Sequence, residues 1–384
     1  MTGSEQRQQA INAAEVWVVK VGSRALTTSE SRLDLEQIEN LSGQLVELVR
    51  RGKRVVLVSS GAVASGVGRL GLSGRPRDLA TLQAVAAVGQ AHLIQAYEEC
   101  LTRHGHHAAQ VLLTAADLDD RVGYLNVRNT LLSCRAIGAI PIINENDTVA
   151  VDELKTTFGD NDRLAAIVAG LFSKPLLVIL SDVRGLYDRD PMDPTAQVLH
   201  TIPEVNAEIE ELVRDRKTGV SKGGMASKLA AARFVTGSGQ SVIIAWGREP
   251  RILPRLADGE ILGSLFLPQP KGLTPKKRWV GLSAQCAGQV VVDEGAARAI
   301  VELGGSLLAI GIRAVHGSFE KGDPVSIVDQ DNHEIARGQI NYASKDVTKI
   351  LGVRSDRIEQ ILGECPYEEI IHRDNLALST KNRG

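Results

Sequence analysis

The chain of 384 residues carries 44 Lys and Arg against 46 Asp and Glu, a formal net charge of -2 at pH 7, and 43% of its residues are hydrophobic. This composition is globular, and the length favours two domains. The charge balance excludes a general attraction to nucleic acid or anionic membrane, and an aromatic content of 3% is too low for a base-stacking surface.

Strand-like and helix-like patterns alternate along the chain up to about residue 247. Strands are predicted near Val16 and Val55, at 110–113, near Ile140 and Leu176, and at 241–245. The apolar residues Leu35, Ile38, Leu41, Leu45 and Leu48 recur at steps of three and four, which predicts that they share one face of a helix between the first two strands. Further helices are predicted at 79–100, 124–137, 162–172 and 225–235. The alternation indicates right-handed crossovers and a largely parallel sheet with both faces covered.

Two segments interrupt this pattern. Residues 149–158 predict a short hairpin over the site, and residues 268–278, with three prolines and a basic run, predict a linker. Beyond the linker, short strands at 288–292, 325–328 and 334–339 and a helix at 295–303 indicate a small, mostly β domain. We therefore expect a catalytic domain at 1–267, a linker at 268–278, a small domain at 279–364 and a C-terminal tail at 365–384.

Targeting and cysteine signals point to a soluble cytoplasmic protein. The first 15 residues are polar, no stretch approaches 18 uninterrupted apolar residues, and the four cysteines form no C-x-x-C pair. We expect neither a membrane contact nor a zinc site nor a disulfide framework. We also expect a homo-oligomer.

Polar residues follow the predicted strands at the positions where parallel strands end. Lys20 and Gly22 follow the first strand, Ser59 to Gly61 the second, Asn144 to Asp147 a later one, and Ser181 and Asp182 the strand near Leu176. In an open parallel sheet, ligands bind outside the carboxyl ends of the strands, so these side chains are expected to converge. Together with the glycine-rich segment 221–228, they supply the cations, carboxylates and glycine turns that phosphoryl transfer uses.

Other motifs in the chain do not indicate a site. Gly66, Gly68 and Gly71 match G-x-G-x-x-G, but the preceding strand has already ended, so the dinucleotide interpretation is rejected. The P-loop pattern G-x-x-x-x-G-K-[ST] is absent from the sequence. The histidines at 104, 106 and 107 lack a ligand partner at zinc spacing and favour a polar surface loop.

The segments Val19–Ser23, Ser59–Gly66, Ile143–Asp147, Gly159–Asp162 and Gly223–Lys228 resemble the amino acid kinase family, in its branch with a C-terminal PUA domain. The similarity covers about 16–362. It implies a three-layer α/β sandwich around a largely parallel sheet, followed by a small mostly-β PUA-like domain. Members of the family usually carry a threonine before the paired glycines, where this chain has Lys222.

The resemblance implies ATP-dependent phosphorylation of the γ-carboxylate of L-glutamate to L-glutamyl 5-phosphate, the first step of proline biosynthesis. It implies Mg²⁺ as a further cofactor, with no protein ligand to it named, and proline as a feedback inhibitor. Lys20, Lys228 and Asp162 are the catalytic candidates, with Asp162 holding the lysines in place. Substrate contacts are implied for Ser60, Asp147 and Asn161. ATP contacts are implied for Lys20, Ser181, Asp182, Lys222, Gly223, Gly224, Met225, Ala226, Ser227 and Lys228.

Structural and functional alternatives remain open at this level. Asp162 could instead cap a helix, Ser60 could only form a turn, and Gly223 and Gly224 could only relax a loop. Another kinase of the same fold, acting on aspartate, acetylglutamate or a nucleotide, would share the lysines and glycines. An RNA-binding PUA protein is the alternative of another class, although the charge and aromatic content make a nucleic-acid partner unlikely.

Overall fold

The structure is a computed structural model, and it describes residues 2–28, 30, 32–114, 117–118, 121–149, 160–213, 223–269, 286–363, 365 and 367–379. The chain divides into two compact units. One comprises residues 1–117 and 124–272, and the other comprises residues 118–123 and 273–384.

The first unit contains a single eight-stranded sheet within the described residues. Its strands are β1 (Val16–Val21), β2 (Arg54–Val58), β3 (His107–Leu113), β4 (Ala139–Glu145), β5 (Pro175–Ser181), β6 (Thr201–Ile202), β7 (Ser241–Trp246) and β8 (Ser264–Phe266). They lie in the order β3-β4-β2-β1-β5-β7-β8-β6, and all pairs are parallel except β7 with β8.

Helices connect these strands. They are α1 (Gly3–Ala13), α2 (Ser23–Leu26), α3 (Leu35–Arg50), α4 (Ala62–Arg69), α5 (Leu79–Thr102), α6 (Arg121–Cys134), α7 (Asp160–Gly170), α8 (Ala207–Glu211), α9 (Gly223–Gly237) and α10 (Ile252–Ala257). The largely parallel α/β fold and each strand predicted before residue 247 are confirmed. The prediction missed β6 and β8, because two or three residues are too few to show a period.

Strand β1 lies at the centre of the sheet, and all six of its residues are buried. Successive side chains on a strand point to opposite faces. Trp17, Val19 and Val21 accordingly belong to the core that includes α3 and α5. Lys20 alternates with them, and α7 packs against β1 and β5. The pleat therefore separates the lysine from the main apolar core.

The helix predicted from the spacing of leucines is α3. Ile38, Leu41, Leu45 and Leu48 are buried on it, whereas Leu35 is 54% exposed. Leu35 is the first residue of the helix, directly after the capping Asp34. The buried residues of the helix begin at Gln37 and Ile38.

Helices α4 and α5 cross at two glycines. A Cβ at Gly66 would lie 2.0 Å from the carbonyl oxygen of Val85, and a Cβ at Gly89 would lie 1.8 Å from that of Ala62. No larger side chain fits at either position without moving the backbone. Gly66 and Gly68 thus lie inside a helix and not in the turn after a strand, as the rejection of the G-x-G-x-x-G match as a dinucleotide turn had assumed.

The segment with His104, His106 and His107 lies at the surface, as predicted, and His107 contacts Glu98 at 2.8 Å.

The second unit contains a five-stranded sheet. Its strands are β9 (Gly288–Val292), β10 (Ile312–Gly317), β11 (Pro324–Val328), β12 (Glu334–Gln339) and β13 (Leu376–Leu378), in the order β10-β9-β11-β12-β13. Its helices are α11 (Glu294–Val301), α12 (Ser344–Lys349) and α13 (Ile358–Leu362). The small, mostly β domain is confirmed.

The predicted tail at 365–384 begins too early. Strand β13 pairs with β12, and Ile370, Ile371 and Leu376 are buried in the core of this unit. The sequence pattern did not reveal this segment because a three-residue edge strand has no visible period. The predicted hairpin at 149–158, apart from its first residue, and most of the predicted linker lie outside the described residues.

Candidate active site

A cavity of about 740 Å³ opens at the carboxyl ends of β1, β2, β4 and β5. Lys20 near the end of β1, Ser60 just beyond β2, Asn144 near the end of β4 and Ser181 at the end of β5 all line it. Its volume falls within the range of small-ligand sites. Polar residues that are far apart in sequence therefore share one space at the edge of the sheet where ligands bind in such folds.

Asp162 is the centre of a buried ion triad. Its Oδ1 lies 2.6 Å from Nζ of Lys20, and its Oδ2 lies 3.3 Å from Nζ of Lys228. The hydroxyl of Ser227 donates to the same Oδ2 at 2.7 Å, and Lys228 also donates to the carbonyl of Gly224 at 2.9 Å. Two cations on one carboxylate leave a net positive charge, which suits an anionic ligand.

The protonation of this triad follows from burial and from the charges within it. Burial alone would raise the pKa of Asp162, but Lys20 and Lys228 outweigh it, so the pKa lies below its ordinary value. Burial lowers the pKa of Lys228, and the charge of Asp162 opposes that effect. Each charge of the triad thus has a buried partner of opposite sign.

Asn161 lies beside the triad and links three segments of the chain. Its Nδ2 donates to the carbonyl of Ser59 at 3.0 Å, to Oγ of Ser60 at 3.1 Å and to Oδ1 of Asn144 at 3.2 Å. A carbonyl oxygen only accepts, so the bond to Ser59 fixes which end of the carboxamide faces β2. Ser60, in the connection between β2 and α4, is thus bonded to Asn161.

The network continues into helix α5. Oδ1 of Asn144 accepts from the backbone N–H of Glu145 at 3.1 Å, and its Nδ2 donates to Oε1 of Gln90 at 2.7 Å. A backbone N–H only donates, so Asn144 is oriented as firmly as Asn161. Gln90 is buried, and its carboxamide thereby supports the side of the cavity that Asn161 lines.

Asp147 carries a buried carboxylate in the turn after β4. It is only 8% exposed, and its Oδ1 has no hydrogen-bond partner among the described residues. Burial raises its pKa to about 6, and the positive charge of Arg75 partly opposes this rise. An anion left without a partner in a cavity is suited to a cationic group of a ligand.

Ser181 and Asp182 form the opposite side of the cavity. Oδ1 of Asp182 accepts from Ser181 at 3.0 Å and Oδ2 from Arg24 at 2.9 Å. Burial would raise the pKa of Asp182, but the hydrogen bonds from Arg24 and Ser181 outweigh it and keep the pKa low. Helix α9 begins next to this side with Gly223 and Gly224 as its first residues, and its first turn carries backbone N–H groups that suit an anion.

The structure brings most of the predicted site residues together. Lining the cavity are Lys20, Ser60, Asp147, Asn161, Asp162, Ser181, Asp182, Gly224 and Lys228. Ser227 contacts Asp162, whereas Met225 and Ala226 are half-buried in α9 and outside the described lining. Gly223 begins α9, and Lys222 lies outside the described residues. Asp162 is the third residue of α7, with its carboxylate on the lysines, so it does not cap that helix.

Sequence reasoning missed Arg24, Arg75 and Gln90. Arg24 bonds Asp182, Arg75 lines the cavity and acts on Asp147, and Gln90 supports Asn144. Each lies on a helix or connection rather than at the end of a strand. Of the three, only Gln90 could have been noticed in the sequence, as a polar residue beside Gly89 in a largely apolar helix.

The arrangement of a parallel sheet, a lysine near the end of its central strand and a second lysine on a glycine-led helix defines a class of phosphate-handling enzymes. The signature of the Amino acid kinase family matches residues 15–245, and that of the PUA domain matches residues 288–362. The chain belongs to the amino acid kinase family and carries a C-terminal PUA domain, as the motifs predicted.

Individual relatives narrow this class. The chain is 50% identical over 372 residues to glutamate 5-kinase of Rhodopirellula baltica, covering 97% of this chain and 96% of the relative. It is 49% identical over 367 residues to glutamate 5-kinase of Methylobacillus flagellatus, covering 95% and 98%. A solved carbamate kinase from Giardia lamblia bound to AMP-PNP is 17% identical to this chain. The match covers 67% of this chain and 99% of that one, with a TM-score of 0.46.

In the described ranges, every helix is too short or too polar to cross a membrane.

Proposed function

We propose that this protein transfers the γ-phosphoryl group of ATP to the γ-carboxylate of L-glutamate, giving L-glutamyl 5-phosphate and ADP in the first step of proline biosynthesis. The observation that carries the proposal is the Lys20–Asp162–Lys228 triad, which shares a cavity with Asp147, whose Oδ1 has no hydrogen-bond partner among the described residues. The relatives named glutamate 5-kinase support this choice of substrate over aspartate or acetylglutamate.

The chemistry needs positioned charge rather than a base. A carboxylate oxygen attacks the γ-phosphorus while the bond to the ADP oxygen breaks, and the nucleophile is already ionised at neutral pH. Both reactants are anions, so the barrier is largely electrostatic. Lys20 and Lys228 would stabilise the charge on the transferred group, and Asp162 would hold both ammonium groups in place.

The two sides of the cavity would hold different substrates. Ser60, Asn161 and Asp147 would contact glutamate, with Asp147 facing its ammonium group. Ser181, Asp182 and the segment from Lys222 to Lys228 would contact ATP.

Mg²⁺ would neutralise the phosphates when bound. Both oxygens of Asp162 face lysines, and those of Asp182 accept from Ser181 and Arg24, which fits an ion held mainly by phosphates and water.

The experiment that tests this function is a coupled assay of ADP release with glutamate, aspartate, acetylglutamate and a nucleoside monophosphate as acceptors. We expect turnover with glutamate at a kcat/KM at least ~100-fold above the others. A higher kcat/KM with another acceptor would show that this acceptor, and not glutamate, is the substrate. A gel-shift assay with RNA at graded salt tests the RNA-binding alternative, for which we expect no specific complex.

Regulation and domain limits complete the proposal. Proline shares the α-carboxylate and amino group of glutamate, so we propose that it inhibits by binding over the Asp147 and Asn161 region. Inhibition that glutamate cannot overcome would rule out that overlap.

We also propose that residues 1–267 form the catalytic domain and that the protein is a cytoplasmic homo-oligomer. A chain of residues 1–267 should phosphorylate glutamate. A folded but inactive chain would show that the second domain helps to form the site.

A further inference from the structure

The charged residues that line the cavity can be sorted by whether they have an ionic partner. Lys20 and Lys228 pair with Asp162, as described above. Arg24 pairs with Asp182 at 2.9 Å, and Arg32 lies 3.6 Å from Glu30. Among the described residues that line the cavity, this leaves one cation and one anion without an ion pair, Arg75 and Asp147.

These two residues come from separate segments. Asp147 follows β4, and Arg75 lies between α4 and α5, where it is exposed. Arg75 is close enough for its charge to lower the pKa of Asp147, yet no salt bridge joins them. A buried anion and an accessible cation thus face the same space without neutralising each other.

We propose that Arg75 binds the α-carboxylate of the amino-acid substrate while Asp147 binds its ammonium group, so that the pair selects zwitterions. This inference deepens the proposed function and rests on it. An α-amino acid carries both charges on one carbon, so a single ligand satisfies both residues. A guanidinium is well suited to the task because its planar fork matches a carboxylate. The other two arginines of the cavity already face carboxylates.

The proposal distinguishes glutamate from its two truncated analogues. Glutarate keeps both carboxylates but lacks the ammonium group, and 4-aminobutyrate keeps the ammonium group and the reacting carboxylate but lacks the α-carboxylate. Either analogue leaves one of the two cavity charges without a partner. Arg75 should therefore contribute to binding of glutamate and glutarate and contribute nothing to binding of 4-aminobutyrate.

The test compares the full-length wild type, Arg75→Met and Arg77→Met by calorimetric titration with glutamate, glutarate and 4-aminobutyrate, alongside steady-state kinetics. Arg77 is an exposed neighbour outside the cavity lining and serves as the matched control. For Arg75→Met we expect glutamate affinity to fall by about 10- to 100-fold, the range for a hydrogen bond to a charged group. The affinity for 4-aminobutyrate, the KM for ATP and all values for Arg77→Met should stay within about threefold.

A second measurement, of the pH dependence of kcat/KM, uses the effect of the Arg75 charge on Asp147. Its charge lowers the pKa of Asp147, so its removal should raise that pKa, and the acid limb of kcat/KM for glutamate should move to higher pH. An equal loss of glutamate and 4-aminobutyrate binding, or no loss of either, would overturn the role of Arg75. Titration needs no turnover, so a wild type that binds glutamate without phosphorylating it would refute the proposed function and still decide this inference.

Discussion

Replacing Asp147 by asparagine should weaken glutamate binding and stabilise the folded protein at the same time. The carboxylate is buried, and its Oδ1 has no partner among the described residues. Burial raises its pKa from an ordinary value of 3.8 to about 6. At about 1.4 kcal/mol per pH unit, that difference corresponds to roughly 3 kcal/mol of destabilisation when the group is charged.

The pH dependence of this effect has a definite sign. Because the pKa is higher in the folded protein than in the unfolded chain, folding favours the protonated carboxyl. The destabilisation is therefore fully present above pH ~6 and disappears as the pH falls toward 4. Asparagine removes the charge but places an amide in the same site, so we expect a net gain of about 1–2 kcal/mol at pH 8.

The assay is urea unfolding at pH 8 and pH 4.5, followed by tryptophan fluorescence, to which Trp17, fully buried in the first unit, contributes. Asp182→Asn is the matched control, because hydrogen bonds hold the pKa of Asp182 low and its loss should bring no gain. In kinetics, Asp147→Asn should raise the KM for glutamate at least ~10-fold with little change for ATP. A variant that is no more stable than wild type at pH 8, or whose gain persists at pH 4.5, would refute this reasoning.

Three further predictions address the triad, the helix crossing and the amide network. Lys20→Ala should lower kcat at least ~100-fold, because one preorganised charge is lost, while circular dichroism should show an unchanged fold. A drop of only a few-fold would show that Lys20 does not stabilise the transition state. Gly89→Ala should cost at least ~2 kcal/mol in urea unfolding, because its Cβ would lie 1.8 Å from a backbone oxygen of α4, while Gly74→Ala, with open space around it, should be neutral. Gln90→Met should raise the glutamate KM about 10-fold at constant ATP KM, and exposed Gln95→Met on the same helix should not; equal effects on both substrates would contradict a positioning role.

In the PUA domain, the sequence pattern predicted three of the five described strands and missed the other two. Strand β9 was predicted from its run of valines, and strands β11 and β12 from the turns at 322–324 and 329–332 that bound them. Strands β10 and β13 were not, and β13 lies in what the sequence indicates is a tail. Three residues are held there by pairing with β12, and that partner is about forty positions away.

The sequence alone determined the alternation of strands and helices before residue 247, the parallel character of the first sheet and nine of the residues that line the cavity. It could do so because a parallel strand buried on both faces is continuously apolar and ends at a polar residue, so Lys20, Ser60 and Ser181 are marked by their position in the chain.

Only the tertiary structure decided which of these residues are partners. Asp162 contacts two lysines that are 142 and 66 positions away from it. Within the described ranges, Oδ1 of Asp147 has no hydrogen-bond partner, and Arg75 lines the same cavity. Burial, pairing and pKa depend on distances between segments that no local pattern encodes. The chemistry of the site therefore follows from the packing of the strands and helices, whereas its residue types could already be seen in the chain.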